Sequence, residues 1–155
     1  MSRPRAAFSM IEILVVIAII GILSAVALPS LTRARYRAEL ASATNRFSRT
    51  VGVARQAAIM RGKPAYFKHK DGNVWVMIDT GGAVGDSVII VPAFRLDSTY
   101  NMVAITPVAP AIIAFDPRGV STQSSKKVFR FEHPSGLQDS LCVSKLGNSI
   151  RTVCP

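Results

Sequence analysis

Residues 8–31 read FSMIEILVVIAIIGILSAVALPSL, and within them residues 13–31 carry no charge. As a helix, these nineteen residues would be about 28 Å long at about 1.5 Å per residue, a transmembrane length. A buried core helix fits the run worst, because it has no polar face and the rest of the chain is too small to surround it. Ala25-Val26-Ala27 has the small-x-small form of a signal-peptidase site, so a cleaved secretory signal competes with a retained anchor. A cleaved signal leaves Glu12 without a purpose. A carboxylate at the start of an apolar run costs free energy to insert, and such residues are usually functional.

Charge is distributed unevenly around this run. The chain has 155 residues, enough for one domain, and a formal net charge of +10. Residues 1–7 contribute +2 and residues 8–32 contribute −1; residues 33–63 hold eight cations against one acid, +7, and residues 64–155 hold nine against seven, +2. The surplus therefore sits on one middle segment, while the part richest in strand signals is nearly balanced. A basic total invites a nucleic-acid reading, but this distribution does not place the charge on the globular part.

The basic leader Met1-Ser2-Arg3-Pro4-Arg5-Ala6-Ala7, the sequence Phe8-Ser9-Met10-Ile11-Glu12, the apolar run and Pro29 together resemble the class III signal of type IV prepilins and type II secretion pseudopilins. The resemblance implies that a membrane-embedded prepilin peptidase cuts between Ala7 and Phe8 and methylates the new amine. Ala7 stands where the family usually has Gly. It also implies that Glu12, then the fifth residue of the mature chain, pairs with the N-terminal amine of a neighbouring subunit during assembly. Two charges in a low-dielectric setting each need such a partner. Pro29 lacks an N–H and Gly21 is a second weak point, so the helix is expected to bend or loosen at these residues. The implied partners are other pilins, the prepilin peptidase, the inner-membrane assembly platform and the lipid bilayer. The implied location is the inner membrane, with a single pass and a periplasmic C-terminal domain. Arg33, Arg35 and Arg37 outnumber Arg3 and Arg5 across the span, so the positive-inside rule alone favours the opposite orientation; the processing motif outweighs it.

Beyond Pro29, Tyr36, Leu40, Ala43, Phe47, Val51, Ala54 and Ala58 recur in steps of three and four, the apolar stripe of an amphipathic helix. Gly62 followed by Pro64 is its stop. Arg35, Arg46 and Arg49 form a basic strip beside the stripe, read as a solvated face or as a contact with anionic head groups or acidic neighbouring subunits. From residue 63 the texture changes to short β-rich runs, with strands expected at residues 65–68, 74–78, 87–91, 102–105, 112–115, 127–131, 141–144 and 150–153. Asp71-Gly72-Asn73, Gly81-Gly82 and Asp116-Pro117-Arg118-Gly119 read as turns. The expected fold is α+β and pilin-like: leader 1–7, membrane and assembly half of the helix 8–31, amphipathic half 32–62, and a β-rich periplasmic domain 63–155 with an antiparallel sheet on which the helix packs.

VGVARQAAIMRGKP (residues 51–64), FDPRGV (115–120) and LCVSKLGNSIRTVCP (141–155) resemble the three best-marked stretches of the GspH/FimT group of minor pseudopilins and minor pilins. Taken with the N-terminal motif, the resemblance covers most of the chain. It implies a filament subunit that is structural, not an enzyme. Some relatives of the FimT kind bind DNA through Gly-Arg-x-Arg. Here Gly147-Asn148-Ser149-Ile150-Arg151 puts Asn where the first Arg would be, and Lys145 and Arg151 with Lys126, Lys127 and Arg130 are the candidate DNA contacts.

Cys142 and Cys154 are centred on residue 148, inside a turn-like Gly147-Asn148-Ser149. A hairpin closed there would set them opposite each other for a disulfide, which requires an oxidising compartment. His69 lies between two lysines and His133 precedes a proline, so both are expected on the surface. The sequence has no Gly-x-Ser-x-Gly elbow, phosphate loop or HExxH, and no cofactor or metal is expected.

Overall fold

The structure is a computed structural model and describes residues 9–81, 86–100, 104–107, 110–144 and 146–151. The chain divides into two compact units, Met1–Arg35 and Tyr36–Pro155.

The first unit contains the start of α1 (Met10–Arg61), a helix of 52 residues. Ser9 opens it: its carbonyl accepts the N–H groups of Glu12 at 3.0 Å and Ile13 at 3.3 Å. Glu12 in the first turn also suits the positive end of the helix dipole. Helicity continues through Gly21 and Pro29. Near the end of the apolar run, Ser30 Oγ donates to the Ala27 carbonyl at 2.8 Å and Thr32 Oγ1 to that of Pro29 at 3.0 Å. These hydroxyls are satisfied within the helix, as a low-dielectric surrounding demands.

In the second unit the predicted stripe is the helix face that packs. Leu40, Ala43, Phe47, Val51, Ala54 and Ala58 are all buried, and Tyr36 is half-buried. Thr44 and Thr50 are buried beside them and return their hydroxyls to the carbonyls of Leu40 and Arg46. Strands follow at β1 (Ala65–Lys70), β2 (Asn73–Asp79), β3 (Ser87–Arg95), β4 (Ala104–Thr106), β5 (Ala111–Phe115), β6 (Lys127–Glu132), β7 (Gln138–Val143) and β8 (Ser149–Arg151), with a one-turn helix α2 (Leu96–Thr99) after β3. Each expected strand has a counterpart within a few residues, although Met102 and Val103 of the fourth and residues 152–153 of the last lie outside the described residues. The sequence reading missed α2, whose Leu96 is fully buried.

The strands make two four-stranded antiparallel sheets, β3-β2-β1-β5 and β4-β6-β7-β8, where the sequence suggested one. Phe47 explains how one helix serves both. Its ring lies 4.8 Å from Phe67 on β1, and 4.7 Å and 5.3 Å from Phe129 and Phe131 on β6. An aromatic group at these distances contributes both buried area and edge-to-face attraction.

Both histidines depart from the surface expectation. Alternation along β1 points Ala65, Phe67 and His69 inward and the flanking lysines outward, so His69 is only 1% exposed. Its ring meets Phe47 and Phe129 edge-on, and neither ring nitrogen has a hydrogen-bond partner. Desolvation lowers its pKa from the ordinary 6.5, opposed by the field of Asp71. His133 is buried by the ring of Tyr36, 4.6 Å away. The backbone N–H of Ser135 donates to its Nδ1 at 3.1 Å, and its Nε2 lies 3.5 Å from Glu39 Oε2.

Candidate assembly segment and motif junction

The sequence-predicted site residues fall into two groups. The N-terminal group belongs to the first unit, and its apolar helix segment is long and apolar enough to cross a membrane, with none of that window buried. Ile13, Leu14, Ile17 and Ile20 are exposed along it, as is Glu12 in its first turn. Such a surface is unstable in water and requires lipid or other helices around it. The expected cleavage site between Ala7 and Phe8 lies outside the described residues.

The second group is where the three marked stretches meet. On α1, Ser48, Arg55 and Ile59 are spaced by seven and four residues and so share a face. Gly119, from the stretch 115–120, lies against that face: a Cβ there would stand 2.5 Å from Ile59 Cδ1 and 3.3 Å from Arg55 Cγ. Gly147, from the C-terminal stretch, lies against Phe115, where a Cβ would stand 2.5 Å from Cε1. Both glycines have φ near +80°, at 76° and 80°, so these turns need Gly for conformation as well as for room. Two side-chain bonds complete the junction. Arg55 Nη1 donates to Asn148 Oδ1 at 2.7 Å, and Ser48 Oγ and Ser149 Oγ are 2.7 Å apart. Asp116 closes its own turn as expected, accepting the N–H groups of Arg118 and Val120 at 3.0 and 2.9 Å. The bond from Val120, with that from Arg118, holds its pKa below the ordinary carboxylate value.

This junction corrects the cysteine geometry. Gly147 N donates to Ser144 O, and Ser144 N to Asn148 O, both at 2.9 Å. The hairpin therefore closes earlier than expected, Ser149 belongs to β8, and Cys142 faces Ile150. The physical reason is that Ser144 and Asn148 close the turn on each other, the Asn148 N–H also donating to Ser144 Oγ at 3.2 Å, so the chain is already back in strand at Ser149. Cys142 is buried on β7, and Cys154 lies outside the described residues.

Among the described residues, the candidate DNA contacts do not all share one face of the sheet. Sheet register puts Arg130 on the face opposite Phe129 and Phe131, whereas Lys127 and Arg151 share the side of Phe129 and Leu141. Arg151 Nε lies 2.7 Å from Asp139 Oδ2, so its charge is paired. Lys126 is exposed, and Lys145 lies outside the described residues. In the basic strip, Arg46 is placed over the Phe94 ring, 4.2 Å from its centroid, and Arg49 is exposed. Sequence reading missed Ser48, Arg55 and Ile59 as a docking face. Their spacing was visible, but their partners are some sixty to a hundred residues away.

Three comparisons bear on these two groups. The family described as Prokaryotic N-terminal methylation motif matches residues 2–28, and the family described as Type II transport protein GspH matches residues 43–147. Among solved structures, the chain is similar to the type IV minor pilin FimU of Pseudomonas aeruginosa strain PAO1. The TM-score is 0.55 with 12% identity, covering 76% of this chain and 90% of that one. At that identity the likeness concerns the fold alone. No curated protein matches the chain.

Proposed function

This chain belongs to the family of the type II transport protein GspH, and on that premise we propose that it is a minor pilin or pseudopilin built into a filament through its N-terminal helix. The family match and the N-terminal methylation motif support a structural role rather than a catalytic one. The observation that carries the proposal is the helix that begins within the motif and whose described side chains up to residue 35 are all exposed. A surface of that kind has two settings in which it is stable: the inner membrane before assembly, and a packed sheaf of like helices afterwards.

In this reading the prepilin peptidase releases Phe8 and methylates its amine, and Glu12 receives the amine of the neighbouring subunit. Gly21 and Pro29 supply the places where the helix yields on assembly: Pro29 gives no N–H to the carbonyl of Ala25, so a hydrogen bond is already missing there. The leader 1–7, the membrane half 8–31, the amphipathic half 32–62 and the domain 63–155 act in succession as address, anchor, docking face and exposed body. The domain stands in the periplasm, and Cys142 and Cys154 form a disulfide there; no described cysteine is a free thiol, which supports this. Type II secretion pseudopilus and type IV pilus are the two filaments in which such a subunit serves.

Substituting Glu12→Ala tests the proposal. The variant should insert in the membrane as the wild type does and be absent from sheared filaments. N-terminal sequencing of the mature chain should read N-methylphenylalanine at residue 8. A mature start beyond Ala27, or normal incorporation of the Glu12 variant, would overturn the respective assignment.

A further inference from the structure

Within a few residues α1 passes from an apolar surface to a cationic one. From residue 13 to residue 38 the sequence has no acid, and every cation from residue 33 to residue 61 is an arginine. Leu31, the last apolar residue of the run, is 67% exposed, and Arg33 and Arg35 follow it, both exposed, at the end of the first unit. Ser30 and Thr32 turn their hydroxyl hydrogens back to helix carbonyls. The two guanidinium groups are therefore the next side-chain donors past the run. Among the described residues, Arg33 has no ion-pair partner.

Depth gives these donors a partner. A hydrocarbon core about 30 Å thick is bordered on each side by roughly 5–7 Å of head groups. Residues 13–31 fill such a core, and at about 1.5 Å per residue Arg33 lies about 3 Å and Arg35 about 6 Å beyond Leu31. Both stand at the level of the lipid phosphates. They are about 200° apart around the helix axis, so each meets a different head group. The side-chain type fits as well: the planar fork of a guanidinium makes two parallel hydrogen bonds to a phosphate and sheds water more easily than an ammonium.

We propose that Arg33 and Arg35 bind the phosphates of anionic phospholipids in the leaflet where the span ends. The proposal rests on reading residues 8–31 as a membrane anchor and goes beyond it: an anchor needs only hydrocarbon, whereas these residues select a head group by charge. A zwitterionic lipid offers the same phosphate but adds a cation that repels the guanidinium. A second copy of the chain, side by side in the bilayer, presents the same arginines at the same depth and so opposes them. The only acid of α1 beyond Glu12 is Glu39, which faces His133. The contact breaks when the helix leaves the bilayer, so it retains the subunit there until assembly.

The test reconstitutes the full chain in phosphatidylcholine bilayers with a trace of spin-labelled phosphatidylglycerol or spin-labelled phosphatidylcholine, and reads the motionally restricted fraction of each by electron paramagnetic resonance. Each arginine favours an anionic lipid about fivefold at its own head group. Averaged over all lipids around the helix, the wild type should prefer phosphatidylglycerol about threefold at low salt, and less as sodium chloride rises. Arg33→Gln with Arg35→Gln should remove about half of that preference or more. Arg49→Gln with Arg61→Gln, the same charge change on the second unit, should leave it intact. Arg3 and Arg5 are unchanged throughout, so the difference reads the far end of the span. Inorganic phosphate should act no differently from chloride at equal ionic strength; a loss specific to phosphate would make the free ion the ligand and overturn the proposal. So would a preference that survives the first pair of changes or falls equally with the second. Flotation separates the two readings. A chain that does not float with the bilayer fails as an anchor and takes this proposal with it, whereas one that floats, restricts phosphatidylcholine and ignores phosphatidylglycerol overturns the head-group contact alone.

Discussion

His69 shows most directly what one residue contributes. It is buried among Phe rings with both nitrogens unpartnered, so the folded state holds it neutral. Desolvation lowers its pKa, and the unfolded chain therefore binds a proton more readily below the ordinary 6.5. Stability should be constant above that value and fall as pH drops below it toward the folded-state value, by at most about 1.4 kcal/mol per pH unit. Urea denaturation between pH 7 and 5 measures this, and His69→Leu should flatten the slope; an equal slope in the variant would show that the acid sensitivity lies elsewhere. The close-packed Gly147 makes a second residue-scale prediction, with the uncrowded Gly136 as its control. Gly147→Ala should cost about 2–4 kcal/mol, combining a left-handed backbone with a clash on Phe115. Gly136→Ala, at φ 81° with nothing within 4 Å of its Cβ, should cost only the backbone part, about 1 kcal/mol. Thermal melts of the two variants separate strain from crowding. The neighbour of Gly147 was not legible in the sequence, since the clash depends on Phe115, distant in the chain.

At the scale of elements, α1 has two surfaces with different purposes, and its periodicity already distinguished them. The apolar run is unbroken, so it needs an apolar surrounding on every side. The stripe from Tyr36 onward recurs at helical spacing, so it needs a partner on one side. Phe47 is the centre of that stripe because both sheets reach it. Phe47→Ala should destabilise the second unit by about 3–5 kcal/mol, read by chemical denaturation, whereas Val53→Ala, on the exposed helix side, should change stability little. A comparable loss at both positions would mean that the stripe is not what holds the helix. The eight strands were legible as alternating runs, but their division into two sheets was not. Alternation determines which side chains share a face and leaves open which strand lies beside which.

For the whole molecule, the compartment and the C-terminal closure are linked. If the second unit stands in the periplasm with Cys142 bonded to Cys154, Cys154→Ser should lower its melting temperature and make Cys142 reactive to a thiol probe after unfolding. The wild type should remain unlabelled until reduced. Labelling of the unreduced wild type would remove the disulfide and the argument it lends to the orientation. The amino-acid sequence by itself determined the long apolar run, the amphipathic stripe and the existence of the strands, because each depends on residue types at short, regular spacings, and it carried the N-terminal methylation motif by resemblance. Only the tertiary structure decided the two-sheet arrangement, the burial of both histidines, the position of the last hairpin and the meeting of Arg55, Gly119 and Asn148. Most of those depend on contacts between residues far apart in the chain, and the hairpin on hydrogen bonding that overrides the local signal: Gly147-Asn148-Ser149 reads as a turn centred on Asn148, but Asn148 closes it on Ser144 and Ser149 is already strand.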